Sequence, residues 1–148
     1  PPAGPPGTPS WSANLRVAVV ATPGDRRDDD IRELGRVAAR HFDEVIVRED
    51  EQLRGRKRGG TAALVVEGVR EAMREGARAG HVEVELEEVE AVRRAMARSR
   101  AGDLVLVCAD HADRVWKELS GFRTVNGVPL ALPEDGDGYR AAPVELDR

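Results

Sequence analysis

Apolar residues recur along this chain in two rhythms, short unbroken runs and stripes at helical spacing. The first run, "VAVVA" (Val17 to Ala21), is continuously apolar and mostly β-branched, which predicts a strand buried on both faces. Ile31, Leu34, Val37 and Ala38 then fall at helical spacing and predict a helix ending near His41. "EVIV" (Glu44 to Val47) reads as a second short buried strand. After a charged loop, Ala62, Val65, Val66, Val69, Ala72 and Met73 trace a second amphipathic helix. "HVEVEL" (His81 to Leu86) alternates polar and apolar, so one face should meet water, as at a sheet edge. Val89, Val92, Ala95, Met96 and Ser99 mark a third helix. "DLVLVCA" (Asp103 to Ala109) reads as another buried strand, and Ala112, Val115, Trp116 and Leu119 as a fourth helix stopped by Gly121. In "RTVNGVPLAL", Asn126-Gly127 stands between two short β-capable runs, a hairpin signal.

Strands alternating with helices imply an α/β fold: a Rossmann-like, doubly wound, mostly parallel sheet with a C-terminal antiparallel hairpin. Right-handed crossovers and a half-exposed third strand favour the strand order 3-2-1-4, with the hairpin near the other edge. Residues 1–14, rich in Pro, Gly and Ser, read as a flexible linker. The α/β domain is expected over 15–132 and an acidic, loose tail over 133–148. In such sheets ligands bind beyond the carboxyl ends of the strands, where the strand order reverses. That point lies between the first and fourth strands. Its loops are "TPGDRRDD" and "CADHADR", with "REDEQLRGRKRGG" beside the first.

Composition narrows the class. A chain of 148 residues suits one domain, and 41% hydrophobic with 34% charged residues is the profile of a soluble, highly charged protein. A net charge of −4 argues against a general nucleic-acid binder while leaving room for a local basic patch. No apolar run approaches the roughly 20 residues that span a bilayer, so no membrane partner is expected. The Pro-rich start lacks the basic and apolar regions of a signal peptide. The single cysteine, Cys108, excludes an internal disulfide framework and fits a reducing, cytoplasmic setting. A chain starting at Pro1 rather than Met is expected to be processed or part of something longer.

The candidate chemistry lies in the three loops. In the first, Gly24 permits a tight turn, and Asp25 or Asp28 is positioned to cap the helix. Asp28, Asp29 and Asp30 also suit the positive end of the helix dipole. Arg26 and Arg27 have the wrong sign for that place, which makes sense if they reach an anion or a carboxylate outside the helix. The second loop carries Arg54, Arg56, Lys57 and Arg58 among Gly55, Gly59 and Gly60. In an extended segment Arg54, Arg56 and Arg58 would point to one side. They read either as a clamp for phosphate or carboxylate, or as a solvated loop balanced by Glu49, Asp50 and Glu51. In the third loop Asp110 and Asp113 are usual helix N-cap types, and His111, a lone histidine, reads as structural or exposed. Cys108 reads as inert core. His41, His81 and His111 are scattered without ligand spacing, so no metal set is expected. No catalytic residue is assigned, and "RKRGGTA" lacks the GxxxxGK[ST] pattern of a phosphate loop.

"GDRRDDDIRELGRVAARHFDEVIVREDEQLRGRKRGG" closely resembles the C-terminal domain of the cyanophycin synthetase family, within the Mur ligase superfamily. "VEAVRRAMARSRAGDLVLVCADHADRVWKEL" is similar to a later segment of the same family, so the resemblance runs from about Arg16 to Leu119. It implies the closing C-terminal lobe of an ATP-dependent amide ligase that activates a carboxylate as an acyl phosphate for attack by an amine. In that family arginine is added to the side-chain carboxylate of an aspartate backbone. By position, Asp25, Arg26 and Arg27 match the family's first-loop motif. Arg54, Arg56 and Arg58 lie where related ligases read an amino-acid substrate, and Asp110 and Lys117 fall in the last motif. An arginine substrate would have to be met by Asp or Glu residues. ATP and Mg2+ are implied as cofactors, bound mainly by a central ATPase domain that acts as partner in cis or in trans. The phosphate loop and the carbamylated-lysine region are missing here, so catalysis by this stretch alone is not expected. The alternative is a stand-alone, non-catalytic binding domain derived from this lobe, recognising a partner protein or a small anion.

Overall fold

The structure, a computed structural model, describes residues 14–122. The elements run β1 (Arg16–Val20), α1 (Asp28–His41), β2 (Glu44–Val47), α2 (Gly60–Arg74), β3 (His81–Val84), α3 (Glu88–Arg98), β4 (Leu104–Val107) and α4 (Ala112–Ser120). The four strands form one sheet in the order β3-β2-β1-β4, and every pairing is parallel. The order expected from the alternation of elements is therefore the one found. The expected hairpin at Asn126-Gly127 and the acidic tail lie outside the described residues, as does nearly all of the expected linker.

Strand alternation divides the core into two layers. Ala18, Val20, Val45 and Val47 face α1 and α2, where they meet Ile31, Ala38, Val65 and Val69. Val17, Val19 and Ile46 face the other way, onto Ala91 and Ala95 of α3. Val105 and Val107 extend that second layer towards Val92, Met96 and Val115, between α3 and α4. Two-sided burial explains why β1 and β2 are apolar at nearly every position.

Two sequence expectations change, and a third, the stop of α4 at Gly121, holds by another geometry. β4 is not buried on both faces: Leu104 is 48% and Leu106 44% exposed. β4 closes one edge of the described sheet, and α1 and α2 cover β1, β2 and β3 but not this face of β4. Val37 is also exposed, because the buried stripe of α1 runs through Ile31, Gly35, Ala38 and Ala39 instead. Gly121 follows α4 with φ −89°, so it ends the helix without the left-handed conformation that favours glycine.

The stripe passes through Gly35 because α1 and α2 touch backbone to backbone. A Cβ on Gly35 would stand 2.1 Å from the carbonyl oxygen of Val65, and one on Gly68 would stand 1.9 Å from that of Arg32. Neither neighbour is a side chain that can swing away. Gly35→Ala or Gly68→Ala is expected to cost about 3 kcal/mol by forcing the helices apart. Gly80→Ala, where a Cβ meets open space, should stay within about 0.5 kcal/mol. Urea unfolding of the three variants checks the contrast, and equal effects would contradict it.

Candidate functional site

The site is built where β2 runs on past its last strand residue. The backbone N–H of Arg48 still donates to Val20 (2.9 Å) and that of Glu49 to Leu86 (3.3 Å), so both residues stay extended and buried. Alternation then sends their side chains to opposite layers. Arg48 shares the face of Ile46 and reaches towards α3 and α4, whereas Glu49 shares the face of Val47 and reaches towards α2. Two charges are thereby buried in a sheet whose other central positions are Val, Ile and Ala.

Each buried charge is met. Glu49 accepts from the amides of Gly59 (2.7 Å) and Ala62 (3.4 Å) at the start of α2. Arg48 donates from Nε to the carbonyl of Cys108 (3.0 Å) and from Nη1 to Asp110 Oδ2 (2.9 Å). Its Nη2 lies 3.3 Å from Glu88 Oε2. Glu88, also buried, accepts from the amides of Asp110 (2.6 Å) and His111 (3.2 Å) at the start of α4.

This arrangement corrects the expected caps. The N-cap residues are Arg27, Gly59, Glu87 and His111, and none caps its helix through its own side chain. Asp110 is turned to Arg48, and acids from neighbouring elements accept amides at the start of α2 (Gly59 and Ala62) and just before α4 (Asp110 and His111). In the first loop neither Asp25 nor Asp28 is a cap. Asp28 pairs with Arg56 (2.7 Å), Asp29 with Arg32 (3.2 Å) and Asp30 with Arg27 (2.8 Å). Arg27 thus finds its carboxylate within its own first turn rather than beyond the helix. Asp25 and Arg26 are exposed.

The second loop is not extended, so its arginines diverge. Arg54 (φ 51°) and Gly55 (φ 86°) are both left-handed, and Arg56 N–H closes the turn on Leu53 O at 3.0 Å. The turn lays Arg56 on the first loop, where it donates to the carbonyls of Gly24 (2.8 Å) and Arg26 (2.9 Å). Gly24 matters here for closeness: a Cβ would stand 2.3 Å from Leu53 O. Arg54 faces solvent, and Arg58 crosses to Glu87. Lys117 is far along α4, beside a shallower hollow with Val89 and Phe122.

Between the carboxyl ends of β2, β3 and β4 lies a cavity of about 240 Å³ with Arg48 and Glu49 in its lining. Its walls carry Glu51, Arg58, Glu87, Asp110, His111 and Arg114. Glu51 stands 3.4 Å from both His111 and Arg114. Opposite charges thus alternate around the rim, a lining suited to a small zwitterion or an ion of either sign. The hydrogen bond from Arg48 holds the Asp110 carboxyl below its ordinary range. Burial pushes the Cys108 thiol up, which keeps it protonated. Asp110 and Arg58 are the sequence candidates that meet at this cavity. The residues that shape it, Arg48, Glu49 and Glu88, were not among them. A charged "RE" directly continuing the buried run "EVIV" was the available signal.

No family model matches the chain. It is 37% identical over 108 residues to the cyanophycin synthetase of Trichormus variabilis, covering 73% of this chain. The cyanophycin synthetase of Crocosphaera subtropica is 39% identical over 71% of the chain, and that of Synechocystis sp. 45% identical over 62%. The chain is homologous to part of cyanophycin synthetase. It spans only 10–12% of the length of these curated relatives.

The Asp110–Arg48 pair has a testable pH dependence. A carboxyl whose folded pKa is depressed stabilises the fold above its unfolded pKa and loses that effect as pH falls through the folded value. Asp110→Asn should therefore be less stable than the parent at pH 6, with the gap narrowing only below about pH 3.8, the group's ordinary value. Urea unfolding at stepped pH checks this, and a gap already closed at pH 5 would contradict it.

Proposed function

We propose that the chain is the closing C-terminal lobe of a cyanophycin synthetase-like, ATP-dependent amide ligase, contributing substrate and nucleotide contacts. The observation that carries the reading is the homology to a short part of these synthetases. The arrangement of the edge supports it, with the loops after β1, β2 and β4 on one side of the sheet and a charged cavity beside them. Such a lobe acts by aligning reactants and neutralising charge, with the central ATPase domain as its partner.

The described residues suit an anion better than a metal. Arg26 and Arg54 stand on abutting loops, with Lys57 close by, and none of the three forms an ion pair among the described residues. They are the groups that would face the phosphates of ATP. No cluster of three or more His, Cys, Asp or Glu is arranged to hold a metal among the described residues, so Mg2+ would be held by the central domain. The acids of the cavity wall, Glu51, Glu87 and Asp110, are the groups that would meet an arginine substrate. No helix among the described residues is long and apolar enough to cross a membrane.

An amide-resolved NMR titration with Mg-ATP, then arginine, then an aspartyl-arginine dipeptide tests the reading. Shifts are expected at Gly24–Asp30, Arg54–Gly60 and Asp110–Asp113 at millimolar ligand. If they require the remainder of a cyanophycin synthetase in trans, the lobe works only against its partner domain. Silence under both conditions would refute the proposal.

A further inference from the structure

We infer that Arg48 is the positioning residue of this edge: from the end of β2 it sets the loop after β4, and so places Asp110 and His111 in the cavity wall. Only the functional consequence rests on the ligase-lobe reading.

The inference follows from what the guanidinium touches. Arg48 is 1% exposed, at a strand-end position where an aliphatic side chain would also fill the core. A buried ion pair gives little stability over a well-packed apolar residue, so its presence points to a requirement on geometry. A planar fork of five N–H groups can hold several acceptors in fixed directions at once. Here those acceptors are the carbonyl of Cys108 and the carboxylate of Asp110, both on the loop after β4. Glu88, which receives the Asp110 and His111 amides, is itself paired with the same guanidinium. Every side-chain hold on Asp110 and His111 from the buried side thus passes through Arg48 or its partner. A further donation, from Nη1 to the carbonyl of Glu49 at 3.4 Å, ties the fork to the residue that completes the start of α2.

The test compares Arg48→Lys with the parent chain by amide hydrogen exchange and by arginine titration. Lysine keeps the charge but not the fork. The amides of Asp110 and His111 are expected to exchange about tenfold faster or more through local opening, with those of β1 and α2 unchanged within about threefold. Where the parent shows arginine-induced shifts at Asp110 and His111, the variant should lose them. Unchanged exchange at both amides overturns the inference, as does a uniform loss of protection, which marks a purely structural role. Should Arg48→Lys not fold, the parent decides: the Nε–H of Arg48 should exchange slowly and show nuclear Overhauser contacts to the Cys108–Asp110 loop. A rapidly exchanging Nε–H without such contacts overturns the inference. If arginine shifts nothing in the parent, alone or with the remainder of a cyanophycin synthetase in trans, the ligand-site reading of the cavity fails, and exchange still decides the role of Arg48.

Discussion

A buried guanidinium holds the working edge of this molecule together. Arg48 is buried and faces buried Glu88 and part-exposed Asp110, and an unmatched charge at that guanidinium would be far more costly than on the surface. Its partners therefore cannot drift. Glu88 starts α3, Asp110 precedes α4 and Arg48 ends β2, so one cation joins three successive β-α units at their common edge. The cavity is the space left between those pinned pieces.

The helix starts show the same economy of means. Neither α2 nor α4 is capped by the side chain of its own N-cap residue. Acids delivered from the end of β2 and the start of α3 accept amides at or just before those starts instead. Each helix start is therefore correct only when its neighbour is in place. This interlocking makes the loop geometry a property of the whole sheet.

Away from that edge, charge acts more loosely. Along the outer faces of α1 and α2, Arg32 bridges Asp29 and Glu67, and Arg36 bridges Glu33 and Glu71. Such solvent-exposed pairs contribute little each. The tight contact between these helices comes from Gly35 and Gly68, which let the backbones meet. Arg26, Arg54 and Lys57, where two loops abut, form no ion pair among the described residues, although Arg26 lies near enough to Asp30 to favour its carboxylate.

Much of the architecture is written in local patterns. The β-branched runs at Val17 and Val45 and the helical stripes at Ile31 and Val65 depend on periodicity alone, and the strand order followed from their alternation and the handedness of crossovers. The location of the charged loops at the carboxyl edge followed in turn. What only the tertiary structure decided is which partner each charged group meets. Asp110 has the residue type of a cap, yet its carboxylate turns to Arg48 while Glu88 accepts its backbone N–H. Arg54, Arg56 and Arg58 part company because a left-handed turn at Arg54-Gly55 replaces the extended segment their spacing suggested. Leu104 and Leu106 read as buried, but burial depends on whether a helix lies overhead. Periodicity acts over a few residues, whereas charge pairing at Arg48 spans some sixty positions to Asp110, a distance no local pattern reports.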